Sequence, residues 1–145
     1  MNLAEYSTLD ATALGRLVAA GEVSAAELAA LAWAAYDALN PTLNAILEFY
    51  DDAESVPGAE GGALAGVPFL RKDIGATEAG RLVEMGSRLS RGMVAPRDAF
   101  LTSRLQAAGL RFLGRTTTPE MGLHGTCLLY TTDAADHTPF LLPRG

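Results

Sequence analysis

Apolar residues recur with helical spacing through the first third of the chain and then give way to short apolar runs. Leu28, Leu31, Ala32, Ala35, Tyr36 and Leu39 follow the i, i+3, i+4, i+7 order of one helix face. Ser24-Ala25-Ala26-Glu27 stands ahead of that face as a capping box, in which the serine accepts from the N3 amide while the glutamate reaches back. Asn40-Pro41 is expected to end the helix, because proline lacks the N–H that would continue it. An earlier helix is predicted over roughly Asp10 to Ala20, with Gly21 as a left-handed stop. The two form a hairpin whose apolar face is too wide to leave in water, so it must pack on a larger body.

Beyond residue 42 the pattern shortens. Leu43 to Tyr50 reads as a strand, the polar, Gly-rich stretch from Asp51 to Gly62 as an exposed loop, and Val67 to Leu70 as a second strand running into Lys72. From Gly75 to Pro96, glycines at 75, 80, 86 and 92 interrupt any periodicity, which predicts irregular loops lining a pocket. Asp98 is placed to cap a helix running to about Ala108, Gly109 closes it, and Leu110 to Gly114 reads as a strand. A strand, a helix and another strand in this order predict a βαβ crossover, hence a partly parallel sheet of the α/β class. No internal repeat is visible, and the run from Leu128 to His137 has neither helical nor clean strand periodicity.

Composition narrows the function classes. The chain has 145 residues, which fits one domain able to bury about 68–70% of its unfolded surface. At 49% hydrophobic and 19% charged it is neither a disordered tail nor a coiled coil. The net charge of −6, with Lys and Arg scattered, argues against a nucleic-acid partner. No apolar run approaches the ~20 residues of a membrane span, and Met1 to Asp10 lacks the basic start and apolar core of a signal peptide. A single cysteine, Cys127, suits a reducing compartment, so a cytoplasmic protein is expected. His124, His137 and Cys127 lack metal-ligand spacing, and no metal site is expected. Glu78, Glu84 and Glu120 show no paired-carboxylate spacing, and the glycines match neither a P-loop nor a dinucleotide fingerprint.

One segment carries candidate chemistry. Gly66-Val67-Pro68-Phe69-Leu70-Arg71-Lys72-Asp73-Ile74-Gly75 places a lysine at the end of an apolar run, between glycines that permit tight turns. Burial there would favour the neutral amine, and a neutral amine is a base. Residue types alone leave two readings open, a buried base or a solvated Lys-Asp turn.

Four stretches together resemble the amidase signature family. They are Leu64 to Asp73, Met85-Gly86-Ser87-Arg88, Asp98 through Gly109, and Leu113-Gly114-Arg115-Thr116-Thr117-Thr118-Pro119-Glu120-Met121-Gly122. They occur in that family's order and spacing, and Leu9 to Asn44 resembles its N-terminal helical hairpin and first strand. Thr117 stands where the family usually has Asn, and Met121 where Phe is common. The resemblance implies an α/β/α fold, here partial, with an N-terminal helical hairpin and an incomplete mixed sheet. Residues 1–126 would be the N-terminal part of such a domain, and 127–145 a divergent tail. Cys127 to Asp136 also resembles the translation of a sequencing adapter, so this tail is expected to be an assembly artefact.

By the same resemblance the chemistry is carbon–nitrogen bond hydrolysis of a small-molecule amide by a Ser–Ser–Lys triad, without a cofactor. Lys72 matches the lysine position, and Met85, Gly86 and Ser87 match a segment that approaches the substrate. The family's two serines lie further along, in Gly-rich stretches. Serines here stand only at 7, 24, 55, 87, 90 and 103. The 145-residue chain is therefore expected to carry the lysine without its nucleophile and to be inactive as it stands. The alternative is a non-catalytic binding or interaction module on a truncated amidase scaffold. Neither the particular amide nor the oligomeric state is legible.

Overall fold

A computed structural model describes residues 1–53 and 61–123. In chain order the elements are α1 (Leu3–Ser7), α2 (Ala11–Ala19), α3 (Ala25–Leu43), β1 (Ile46–Phe49), β2 (Pro68–Lys72), α4 (Phe100–Ala107) and β3 (Arg111–Thr116). Single 3-10 turns occupy Arg88–Ser90 and Glu120–Gly122. The expected boundary at Thr126, the tail 127–145, His124 and Cys127 lie outside the described residues.

Local chemistry sets the helices largely as the pattern predicts. The Ser24 hydroxyl accepts from the Glu27 amide at 3.1 Å, and the Glu27 carboxylate accepts from the Ser24 amide at 2.7 Å. Asp10 caps α2 by accepting from Ala13 N at 2.7 Å. Two expected boundaries are corrected. α3 does not stop at Asn40-Pro41 but runs on to Leu43, ending at Asn44 in the left-handed region. The Asn40 side chain supports this extra turn, donating to Ile46 O at 2.9 Å and accepting from Ile46 N at 2.8 Å. The helix end is thereby tied to the strand that follows, which starts at Ile46 rather than Leu43.

The second correction concerns Asp98. It does not cap α4, whose N-cap is Ala99 with no side-chain bond. Its carboxylate instead accepts from Ala79 N at 2.7 Å. Ala99 N and the Thr102 hydroxyl both donate to Thr77 O, at 2.9 and 2.7 Å, so the start of α4 is sewn to the 77–79 stretch.

The sheet order is β1-β3-β2, with β1 antiparallel and β2 parallel to the central β3. α4 makes the crossover between the parallel strands, as the strand–helix–strand order predicts. Phe69 pairs with Phe112 and Lys72 with Thr116. Gly114 is required at its place in β3, because a Cβ there would run into the Glu48 carbonyl of β1. Residues 75–96 carry no helix or strand beyond the Arg88–Ser90 turn and a single Leu82–Val94 bridge.

Two apolar clusters form the core. Ala29, Phe49, Tyr50, Phe112 and Leu113 join α3 to the sheet, and Leu14, Val23, Leu28, Val67 and Leu110 join α2 and α3 to the strand entries. The hairpin thus packs on the sheet through Leu14, Leu28 and Ala29, which answers its need for a larger body, while Trp33, Leu39 and Leu43 stay exposed. Full burial of each large side chain contributes about 1.5–3 kcal/mol. No described helix is long and apolar enough to cross a membrane.

Candidate active site

Because β2 and β3 are parallel, their carboxyl ends lie together, with Lys72 opposite Thr116. In open α/β sheets ligands bind in the crevice outside those ends. Here the crevice is bordered by the loop after β2 and by Thr117 to Leu123 after β3.

Lys72 itself is exposed, so of the two readings left open by residue type this structure shows the solvated one. Strand alternation gives the reason. Arg71 and Asp73, at 1% and 0% exposure, turn into the covered face, and Lys72 turns to the opposite one. No hydrogen bond or ion pair engages its amine among the described residues. Lys72 is also the only lysine of the chain, every other basic side chain being an arginine apart from two histidines.

Buried charge surrounds the strand ends. Asp73 accepts from Glu84 N at 3.0 Å, from Gly86 N at 3.4 Å and from Arg115 Nη1 at 3.0 Å. Arg115 also donates to Glu48 at 2.8 Å and to Glu84 at 2.9 Å. Burial opposes the Arg115 charge, but its bonds to Glu84, Asp73 and Glu48 outweigh that and hold the guanidinium above its usual pKa. Glu84 is held below the usual carboxylate range by the Gly92 amide and then by Arg115.

A second network lies beside the first. Arg71 donates through Nε to the Tyr50 hydroxyl at 2.8 Å and through Nη2 to Leu82 O, while its buried Nη1 has no partner among the described residues. Tyr50 in turn donates to Glu78 at 3.3 Å. Burial pushes Tyr50 up to about 12 and also raises Glu78, against the pull of Arg81 and Arg71. The Arg81 guanidinium stacks 4.0 Å over the Tyr50 ring, a cation–π contact.

Met85 and Gly86 form a turn that, with Ser87, is bonded to the loop after β3. Met85 and Gly86 both sit in the left-handed region, and the Met85 carbonyl accepts from Met121 N at 2.8 Å. Met121 is left-handed as well. For residues with a side chain that conformation costs about 1–3 kcal/mol each. Gly86 packs so tightly on the Thr118 carbonyl that no Cβ would fit. Ser87 Oγ donates to Glu120 at 2.7 Å. The loop after β2 is therefore docked on the loop after β3, and Asp73, next to Lys72, ties the first of them to Arg115 of β3. Ser87, Leu89, Glu120, Met121 and Leu123 line an open groove of about 440 Å³. Neither Met85 nor Gly86 faces that groove. A second, apolar cavity of about 330 Å³ lies between α3 and the sheet, bordered by Tyr36, Leu39, Leu43, Phe49, Leu70 and Leu113.

The structure thus brings Lys72, Met85, Gly86 and Ser87 to one end of the sheet. It adds Asp73, Glu84, Arg115 and Glu120, to which residue patterns alone assigned no role. Arg115 lies just past the strand expected over Leu110 to Gly114, and the sequence around it carried no signal of its role. Among the described residues no group of three His, Cys, Asp or Glu side chains is placed to hold a metal ion.

Comparison with known proteins gives this arrangement a family. The family pattern described as Amidase matches residues 6–137. The 6-aminohexanoate-cyclic-dimer hydrolase of Paenarthrobacter ureafaciens is 38% identical over 116 residues, covering 78% of this chain and 24% of that protein. The acylamidase of Rhodococcus erythropolis is 36% identical over 129 residues, covering 81% and 26%. The solved structure of 6-aminohexanoate cyclic dimer hydrolase superposes with a TM-score of 0.69 at 35% identity, over 78% of this chain and 24% of that one. The chain spans about a quarter of the length of the curated relatives it matches. A family match over most of its length, joined to a shared fold of helices and a mixed sheet, shows that the chain belongs to the amidase signature family.

Proposed function

We propose that this chain supplies the lysine-bearing part of a Ser–Ser–Lys amidase that hydrolyses the carbon–nitrogen bond of a small amide. The observation that carries the proposal is the placement of Lys72. The sole lysine stands at the carboxyl end of a parallel strand pair, beside the docked Met85–Ser87 loop. A groove of about 440 Å³, lined by Ser87 and Glu120 of the two docked loops though not by Lys72, is of small-molecule size.

In this scheme the Lys72 amine accepts the proton of a bridging serine, which takes one from the nucleophilic serine as that serine attacks the amide carbonyl. The C–N bond breaks, the proton passes to the departing amine, and water then cleaves the acyl-enzyme. Backbone N–H groups stabilise the oxyanion. Neither serine role falls to a described residue. Ser87 Oγ is committed to Glu120, Ser24 and Ser103 serve helix ends, and the sequence has no serine beyond Ser103. The 145-residue chain alone is accordingly proposed to turn over no amide.

A hybrid enzyme tests the assignment. Residues 6–123 replace the matching segment of the Paenarthrobacter hydrolase, and the hybrid is assayed on that enzyme's cyclic amide. The expected result is turnover in the parent hybrid and a loss of about 10²- to 10⁴-fold in Lys72→Ala, the usual weight of a general base. A Lys72→Ala hybrid that folds and keeps its parent's kcat would overturn the assignment.

A further inference from the structure

Both chain neighbours of Lys72 are buried, and both hold the same stretch of loop. Alternation along β2 sends Arg71 and Asp73 to one face and Lys72 to the other. On the covered face Arg71 reaches the Leu82 carbonyl, and Asp73 receives the amides of Glu84 and Gly86. The residues flanking the lysine therefore grip the 82–86 stretch at three points. Asp73 is anchored from the other side by Arg115 of β3, and its own amide donates to Thr116 O at 3.2 Å.

We propose that Arg71 and Asp73 are positioning residues for Lys72. Together they form a two-residue clamp that fixes the backbone on either side of the lysine and couples it to the Met85–Ser87 loop, so that strand end and pocket loop hold one geometry. Neither side chain approaches the face on which Lys72 projects, so they act through the backbone and not on a substrate. Charge is an expensive way to fill this space, since apolar side chains of like volume would join sheet and loop without the desolvation penalty. The ionic groups add direction, because the Asp73 carboxylate collects three separate donors and only one placement of the loop serves them all.

The catalytic weight of the clamp rests on Lys72 being the base, but the coupling itself does not, and the experiment separates the two. Because Lys72 is the only lysine, the 145-residue chain grown on 15N-lysine gives one backbone amide cross-peak, that of Lys72. Asp73→Asn keeps the side-chain shape but sets an NH₂ among three converging donors. The clamp predicts that the backbone order parameter of the Lys72 amide then falls from the rigid range of about 0.85 to below about 0.6, while mass-spectrometric exchange of the α3 segment, residues 25–43, is unchanged, as local loosening requires. Arg71→Met, which keeps the apolar stem and removes every donor, is expected to do the same and decides the matter if Asp73→Asn unfolds the chain. Two results would overturn the clamp. One is a Lys72 order parameter that stays in the rigid range in both variants. The other is a loss of order at Lys72 accompanied by faster exchange throughout α3 in both, which would make these residues contributors to global stability alone. In the hybrid enzyme Asp73→Asn is expected to lower kcat with KM within about twofold of the parent, the split of a group acting on the transition state. An active Lys72→Ala hybrid would retire the amidase reading and leave the order-parameter result standing.

Discussion

At the residue scale, the docked loops around Gly86 and Ser87 make the sharpest stability statements. Gly86→Ala places a Cβ against the Thr118 carbonyl at a left-handed position, and it is expected to cost more than about 2 kcal/mol. Ser87→Ala removes a hydrogen bond to an exposed carboxylate and the one its hydroxyl accepts from Leu89 N, and about 1–2 kcal/mol is expected. Urea midpoints at constant slope compare them, and equal costs would contradict the docking geometry. Two glutamates set opposite pH trends. Glu84 is held below its usual value of 4.5 when folded, so its contribution is present above that pH and fades as pH falls below it. Glu78 is raised by burial, so the folded state binds its proton more tightly and stability declines as pH climbs from 4.5 toward the raised value. Glu84→Gln should flatten the acidic limb of a stability–pH profile and Glu78→Gln the opposing slope. Profiles of unchanged shape would refute both assignments.

At the element scale, the capping box at Ser24, the helix α2, the α4 crossover and the parallel pairing were legible because each rests on short-range rules of spacing and capping. The misplaced boundaries share a different cause. Asn40-Pro41 reads as a stop, but the Asn40 side chain bonds the Ile46 peptide and carries the helix past the proline. Asp98 reads as a cap, but a partner 19 residues away in sequence competes for its carboxylate. Both are contacts between elements, and local patterning carries no information about them. The same holds at the site. Lys72 stood out from its own segment, whereas Asp73, Glu84 and Arg115 gain meaning only when β2, β3 and the intervening loop meet. Asn40→Ala tests the element-level account. It leaves a partly buried peptide short of two partners and is expected to cost about 1–3 kcal/mol, with helicity lost from the last turn of α3. An unchanged circular dichroism spectrum and urea midpoint would show that α3 passes Pro41 without this support.

At the scale of the whole molecule, the helical hairpin and mixed sheet hold one lysine at the end of a parallel strand pair, with two docked loops as its neighbours. Around that end apolar side chains remain in water, Leu89 at 88% and Leu123 at 83% exposure. Both line the groove of about 440 Å³ between the docked loops. The central claim concerns one proton transfer at this end of the sheet. The most direct measurement is the single-turnover rate of acyl-enzyme formation in the hybrid enzyme, with Lys72 intact and in Lys72→Ala. If Lys72 is the base, acylation slows by about 10²- to 10⁴-fold while the substrate dissociation constant holds. Acylation at the parent rate in a folded Lys72→Ala hybrid would contradict the account at its centre.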